Sequence, residues 1–217
     1  YQAQQQRILT RLLLLSTTIA SVAAELDCEG ERADQVASYL TEQSTRREQR
    51  LTVLSIAVGA ASSVATTVVE GRTAQYAFGI GGGLLTAALG VLTLTSNPTA
   101  TFTHPRNLLT DVWQEAPRSG AYPPGVWYVL TEPAFSNRGQ ASLAHNARRR
   151  WEHYGQLERP DSRRGREQQL LLFGGGGPYN AAALHLRADM LNELQASVRL
   201  INQDLRGLLQ ELTPPGQ

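Results

Sequence analysis

Few side chains in this sequence stand at spacings that do chemistry. The densest carboxylate group is Glu25, Asp27, Glu29 and Glu31, with Cys28, the only cysteine, among them. Carboxylates at helical spacing can hold a metal pair. The di-iron pattern, however, requires Glu-x-x-His, and none of the four histidines lies nearby. The group therefore reads as a solvated helix end whose charge favours the N-terminus of a following helix. A single cysteine excludes an intrachain disulfide and argues against a cysteine-based zinc site. His185 and Asp189 stand at i and i+4, the spacing of two ligands on one helix face, but two ligands do not complete a site and the pair reads as surface. His145 and His153 are eight apart, and His104 stands alone.

Two further stretches invite a phosphate. Gly174 to Gly177 precede a helix, as in a phosphate loop. That motif needs Lys and then Ser or Thr after its last glycine, where this chain has Pro178 and Tyr179. The stretch reads instead as a flexible turn that lets Phe173 and Tyr179 pack beneath the last helix, with Asn180 as its N-cap. Arg148, Arg149, Arg150, Arg159, Arg163, Arg164 and Arg166 form the one dense basic patch, interleaved with Trp151, His153 and Tyr154. Guanidinium with aromatics suits an anionic lipid headgroup or an acidic partner. The commoner role of such a run is a solvated face paired with nearby acids.

No serine has the surroundings of a nucleophile elbow, and no set of nucleophile, base and metal ligand converges in the sequence. The expectation is a non-enzymatic protein with no cofactor and no bound metal. A net charge of +1 gives no overall attraction to nucleic acid, and all twenty basic residues are arginine.

The elements that would position any site are long helices. The chain is organised around residues 51–97. Leu51 to Val69 carries no charge, Glu70-Gly71-Arg72 interrupts, and Thr73 to Asn97 is again uncharged. Two apolar runs across a short polar break predict a helical hairpin. Its arms are rich in Ala, Gly, Ser and Thr. Gly79, Gly83 and Ala87 repeat every four residues, as do Gly82, Thr86 and Gly90, so each set shares one face where another backbone can approach. The arms resemble a generic glycine-zipper hairpin, a packing pattern that carries no residue-level function.

Before the hairpin, residues 3–27 predict a first helix with an apolar stripe through Ile8, Leu12, Leu15, Ile19, Val22 and Leu26, largely buried. Arg7 and Arg11 ahead of an apolar run ending at Val22-Ala23-Ala24 have the order of an export signal. The segment is read as an ordinary helix, with an uncleaved anchor as second reading. Gly30 predicts a break, and a second helix from Glu31 runs into the first hairpin arm, with Val36, Tyr39, Leu40 and Leu51 inward. Residues 98–139 carry six prolines and the aromatic anchors Trp113, Tyr122, Trp127 and Tyr128, which predict short helices and loops. Ser142 to Leu157 predicts another helix, followed by a polar loop. The last helix, 181–212, has a heptad seam: Leu184, Leu191, Val198, Leu205 and Leu212, with Leu194, Ile201 and Leu208 between them and Arg187 as the one exception.

The fold expected is all-α, with three regions. Residues 1–97 form the long helices and hairpin, 98–180 a cap of short helices and loops, and 181–217 a coiled-coil-like helix packing on the first region. The function expected is a structural or interaction subunit of a cell-envelope assembly, its hairpin buried in membrane or in an oligomer core. A pore-forming protein and a soluble helical scaffold are the alternatives. A protein partner or self-association is expected, with membrane and anionic lipid as further partners and nucleic acid disfavoured.

Overall fold

The computed structural model describes residues 2–68, 72–94, 97–136, 139–153 and 157–212. The chain is predominantly helical. Its elements are α1 (Gln2–Val68), α2 (Arg72–Leu94), β1 (Thr99–Thr103), α3 (Thr110–Gln114), α4 (Pro124–Thr131), α5 (Leu143–His153), α6 (Arg163–Phe173), β2 (Gly176–Asn180) and α7 (Ala181–Leu212), with a 3-10 turn at Pro133–Phe135. Two compact units result. One comprises Tyr1–Ala37 and Ala100–Gln217, the other Ser38–Thr99. The boundaries at 97 and 180 read from composition do not coincide with this division, because the first half of α1 belongs with the segments after Ala100.

The larger unit is built on an antiparallel pairing of α1 with α7. Ser16 Oγ donates to Asn202 Oδ1 at 2.6 Å, Gln195 donates to Asp27, and His185 Nδ1 meets Asp34 at 2.7 Å. On α1 the buried stripe is Ile19, Val22, Ala23, Leu26, Ala33 and Ala37. It faces Leu184, Leu191, Leu194, Val198 and Ile201 of α7, all buried. The spacing of three and four on both helices is that of a heptad seam.

Gly30 does not break α1. It sits buried in this seam, and a β-carbon there would lie 3.6 Å from Leu191 Cβ and 2.8 Å from Asn192 Oδ1. A helical glycine costs about 1 kcal/mol relative to alanine. Here it buys close approach of α7, and flanking pairs such as Arg32–Glu29 (3.0 Å) support the helix. The first three turns of α1 are also not a buried helix: Ile8, Leu13 and Leu14 are exposed, and burial begins at Ile19. Further along, small Ala33 and Ala37 take the inward positions and Tyr39 is exposed.

The short elements close over this pair. Pro124 starts α4 and turns Val126, Trp127, Val129 and Leu130 inward. Asp111 Oδ2 accepts from the backbone N–H groups of Gly120 (3.0 Å) and Ala121 (3.1 Å) and from Ser119 Oγ, fixing the turn ahead of α4. Trp113 stacks on Phe173 with centroids 4.3 Å apart.

One expectation about the polar loop is corrected here. The polar stretch after Arg159 is helical from Arg163, because Ser162 caps it by accepting from Gly165 N–H at 2.9 Å. The predominantly helical fold agrees with the all-α expectation and adds one two-stranded ribbon, β1 beside β2. Gly176 permits the ribbon. It has φ +94°, and a β-carbon there would stand 2.1 Å from Phe102 O. The four-glycine stretch thus caps α6 and starts a strand, with Asn180 capping α7 through Ala183 N–H at 2.8 Å.

Candidate functional site

The smaller unit is the hairpin of α1 and α2. Its arms touch where both are smallest: a β-carbon built on Gly82 would lie 1.9 Å from Ser62 Oγ and 2.5 Å from Ser62 Cβ. Beside this contact Gly59, Ser62, Ser63, Gly82, Gly83, Thr86 and Ala87 line an open cleft of about 530 Å³. Of the glycine-spaced face read from sequence, Gly82 lies in the contact, while Gly83, Thr86 and Ala87 line the cleft. Gly90 faces open space, and the surroundings of Gly79 lie outside the described residues. Three hydroxyls of the arms fold back onto their own helix: Ser55 onto Thr52 O (2.8 Å), Ser63 onto Gly59 O (2.9 Å) and Thr86 onto Gly82 O (2.8 Å). The outer surface is apolar and uncovered. Val53, Leu54 and Ile56 on one arm, and Ile80, Leu84, Leu85 and Val91 on the other, are each more than half exposed.

The larger unit holds a buried polar cluster around the C-terminus of α6. The last carbonyls of a helix lack intrahelical donors, and here every one receives a donor. Leu170 O takes Gly174 N–H at 3.0 Å, Leu171 O takes Tyr179 Oη at 2.5 Å, and Phe173 O takes Thr110 Oγ1 at 2.7 Å. Leu172 O takes both Arg187 Nη1 (3.0 Å) and Asn107 Nδ2 (2.9 Å). Arg187 is 1% exposed, and no carboxylate pairs with it among the described residues. Its counter-charge is the negative end of the α6 dipole. Burial draws its pKa below the ordinary arginine value.

Tyr179 and His104 complete the cluster. Tyr179 spends its one proton on Leu171 O, so His104 Nε2, 2.7 Å from Tyr179 Oη, must be the donor of that pair. Nδ1 of His104 is then the bare nitrogen, and it is buried without a partner, as is Arg187 Nε. Burial, reinforced by Arg187 and Arg32, draws the His104 pKa down to about 3, and burial pushes that of Tyr179 up to about 12. Arg187 and Tyr179 bond to main chain and His104 bonds to Tyr179, which suits the cluster to hold α6, the ribbon and α7 together.

A shallow groove of about 1030 Å³ runs between α6, β2 and α7. Leu170, Leu171, Pro178 and Leu186 floor it, and Glu158, Glu167, His185 and Asp189 stand at its edge. His185 is turned to Asp34, and no group of three metal-ligating side chains forms among the described residues.

Four of the seven arginines read as a patch have partners within the chain. Arg148 lies over the Trp113 ring and pairs with Glu115 and Glu152. Arg150 pairs with Glu193, Arg163 with Glu167, and Arg166 donates to Asp161 O. Arg149, Arg159 and Arg164 are exposed. Along the α7 seam, Leu184 to Ile201 are buried, Leu205 is half-buried and Leu208 exposed; the side chain of Leu212 lies outside the described residues. The buried cluster is what reading the sequence missed. Its one signal was Arg187 at a heptad position otherwise filled by Leu, Val or Ile. Comparison with protein-family models, with curated proteins and with solved structures found no match.

Proposed function

We propose that this chain is a non-enzymatic helical subunit of a cell-envelope assembly, held in the membrane by the small-residue hairpin at 51–97. Unit Tyr1–Ala37 with Ala100–Gln217 is its partner-binding body. One observation carries the reading: among the described residues, nine large aliphatic side chains of the hairpin are exposed in a unit built of two helices. Covering them is worth roughly 10 kcal/mol at about 1–2 kcal/mol for each half-exposed side chain. That equals the whole stability of an ordinary domain, so the cover is part of the working molecule.

Length and polarity favour lipid as the cover. Leu51–Val68 would span about 27 Å and Arg72–Leu94 about 34 Å, against a hydrocarbon core of about 30 Å. In hydrocarbon a serine or threonine hydroxyl needs a partner within its own helix or bundle. Ser55, Ser63 and Thr86 have one on their own helix. The cleft at Gly59, Ser63 and Gly83 leaves room for a further helix to pack by close backbone approach, the mode of association available in lipid.

The test is fractionation of the full-length chain from its own cells. Recovery with membranes after high salt and carbonate is expected. A monodisperse, detergent-free soluble particle overturns the membrane reading and makes the hairpin a protein core. Dye release from vesicles on adding such a soluble form makes the chain a pore former instead.

A further inference from the structure

We propose that Arg46, Arg47 and Arg50 form a collar that holds the open end of the hairpin in a leaflet of anionic phospholipid. The inference rests on the membrane reading above and adds the lipid class and the end of the hairpin that meets it.

The three arginines fall immediately before Leu51, where α1 loses its charge, and all three are exposed. At the other end of the two apolar runs the sequence has one arginine, Arg72, with Glu70 two positions before it. Arg46 and Arg50 are one helical turn apart, and with Gln49 they share a shallow cleft of about 470 Å³ with Val53 and Leu54. The cleft thus joins guanidinium groups to exposed aliphatic side chains, the two chemistries of a phospholipid. Side chains on an α-helix lean toward its N-terminus. Arginines placed before an apolar arm therefore reach away from hydrocarbon, their stems along the apolar surface and their heads in the phosphate layer. The planar guanidinium suits phosphate oxygens by paired hydrogen bonds.

The nearby acids do not cancel this. Glu42 pairs with Arg46 at 2.5 Å and Glu48 accepts from Ser44 at 3.0 Å. Acidic side chains contribute little to orientation, whereas arginines near a span end favour the cytoplasmic leaflet. With three arginines at the open end and one at the turn, the open end faces the anionic cytoplasmic leaflet.

Full-length protein is diluted from detergent into vesicles of phosphatidylcholine alone or phosphatidylcholine with phosphatidylglycerol, and floated. Wild-type protein is expected to float with both and to partition about twenty-fivefold more strongly into the anionic vesicles, at about fivefold each for Arg47 and Arg50, with Arg46 paired to Glu42. The R46Q/R47Q/R50Q variant loses that excess and keeps its binding to phosphatidylcholine. The all-lysine variant keeps most of it, and unchanged helical circular dichroism shows that both variants fold. Equal partition of wild type into the two vesicles, or an anionic excess that survives the glutamine substitutions, overturns the collar and leaves the membrane reading standing. Failure to float with either vesicle overturns the membrane reading itself.

Discussion

Gly82 and Ser62 meet across the hairpin so closely that a β-carbon on the glycine would lie 1.9 Å from the serine oxygen. Rotating the serine hydroxyl away gives no relief, because Ser62 Cβ would still be 2.5 Å distant. A backbone must move instead. Gly81, next along the chain, has no atom within 4 Å of a built β-carbon. Alanine at Gly81 should therefore stabilise the hairpin by up to about 1 kcal/mol through helix propensity, while alanine at Gly82 should destabilise it by about 1–3 kcal/mol through overpacking. Thermal unfolding of the two variants in detergent, followed by circular dichroism, reads the difference. Equal melting points would mean that the arms do not touch here.

His104 makes the larger unit sensitive to acid. Its folded pKa of about 3 lies below the ordinary 6.5. A lowered pKa gives stability that is complete above about pH 6.5 and is lost as pH falls toward 3, at up to about 1.4 kcal/mol per pH unit. Guanidinium unfolding at pH 7 and at about pH 4.5, followed by tryptophan fluorescence, should show wild type losing about 2–3 kcal/mol more than His104→Gln. Parallel losses in the two proteins would show that His104 is not buried neutral.

Asn107 should matter more than the buried charge beside it. Its side chain donates to Leu172 O and Gly174 O and accepts from Leu109 N–H and from Arg187 Nη1. Asn107→Ala removes all four bonds and should cost roughly 2–3 kcal/mol. Arg187→Met removes two bonds, but each acceptor keeps another donor: Leu172 O keeps Asn107 Nδ2, and Asn107 Oδ1 keeps Leu109 N–H. It also removes the desolvation cost of a guanidinium without a carboxylate, so its net effect should stay within about 1 kcal/mol of zero. Denaturant midpoints rank the two. The reverse order would mean that the charge at the α6 C-terminus outweighs the amide.

Gly176→Ala should open the ribbon. The residue sits at φ +94° and its β-carbon would strike Phe102 O at 2.1 Å. Strain and clash together should cost about 2–4 kcal/mol. Hydrogen exchange at His104 N–H, which donates to Gly175 O at 3.1 Å, should speed up locally. Retained protection would place the ribbon's stability elsewhere.

Cys28 reports the orientation of the chain. It is exposed on α1, on the N-terminal side of the arginine collar. With the collar in the cytoplasmic leaflet, a membrane-impermeant maleimide should label it only after cells are opened. Labelling in intact cells would reverse the orientation.

The local patterns were readable from the sequence alone. Uncharged runs around Glu70-Gly71-Arg72 marked a hairpin, and the leucine repeat from Leu184 marked a helix with an apolar seam, because helical period and charge are properties of neighbouring residues. The N-cap at Asn180 was legible for the same reason. Gly30 was not, since a glycine looks the same whether it ends a helix or admits another. Only the approach of Leu191 and Asn192 decided between the two. The ribbon escaped because its strands are short, far apart in sequence and, at Gly176 and Gly177, without side chains to alternate. Arg187 stood in the heptad as an anomaly. Its meaning required α6, whose carbonyls it caps, and a helix end acquires partners from Asn107, Thr110, Tyr179 and Arg187 only once the chain has folded back on itself.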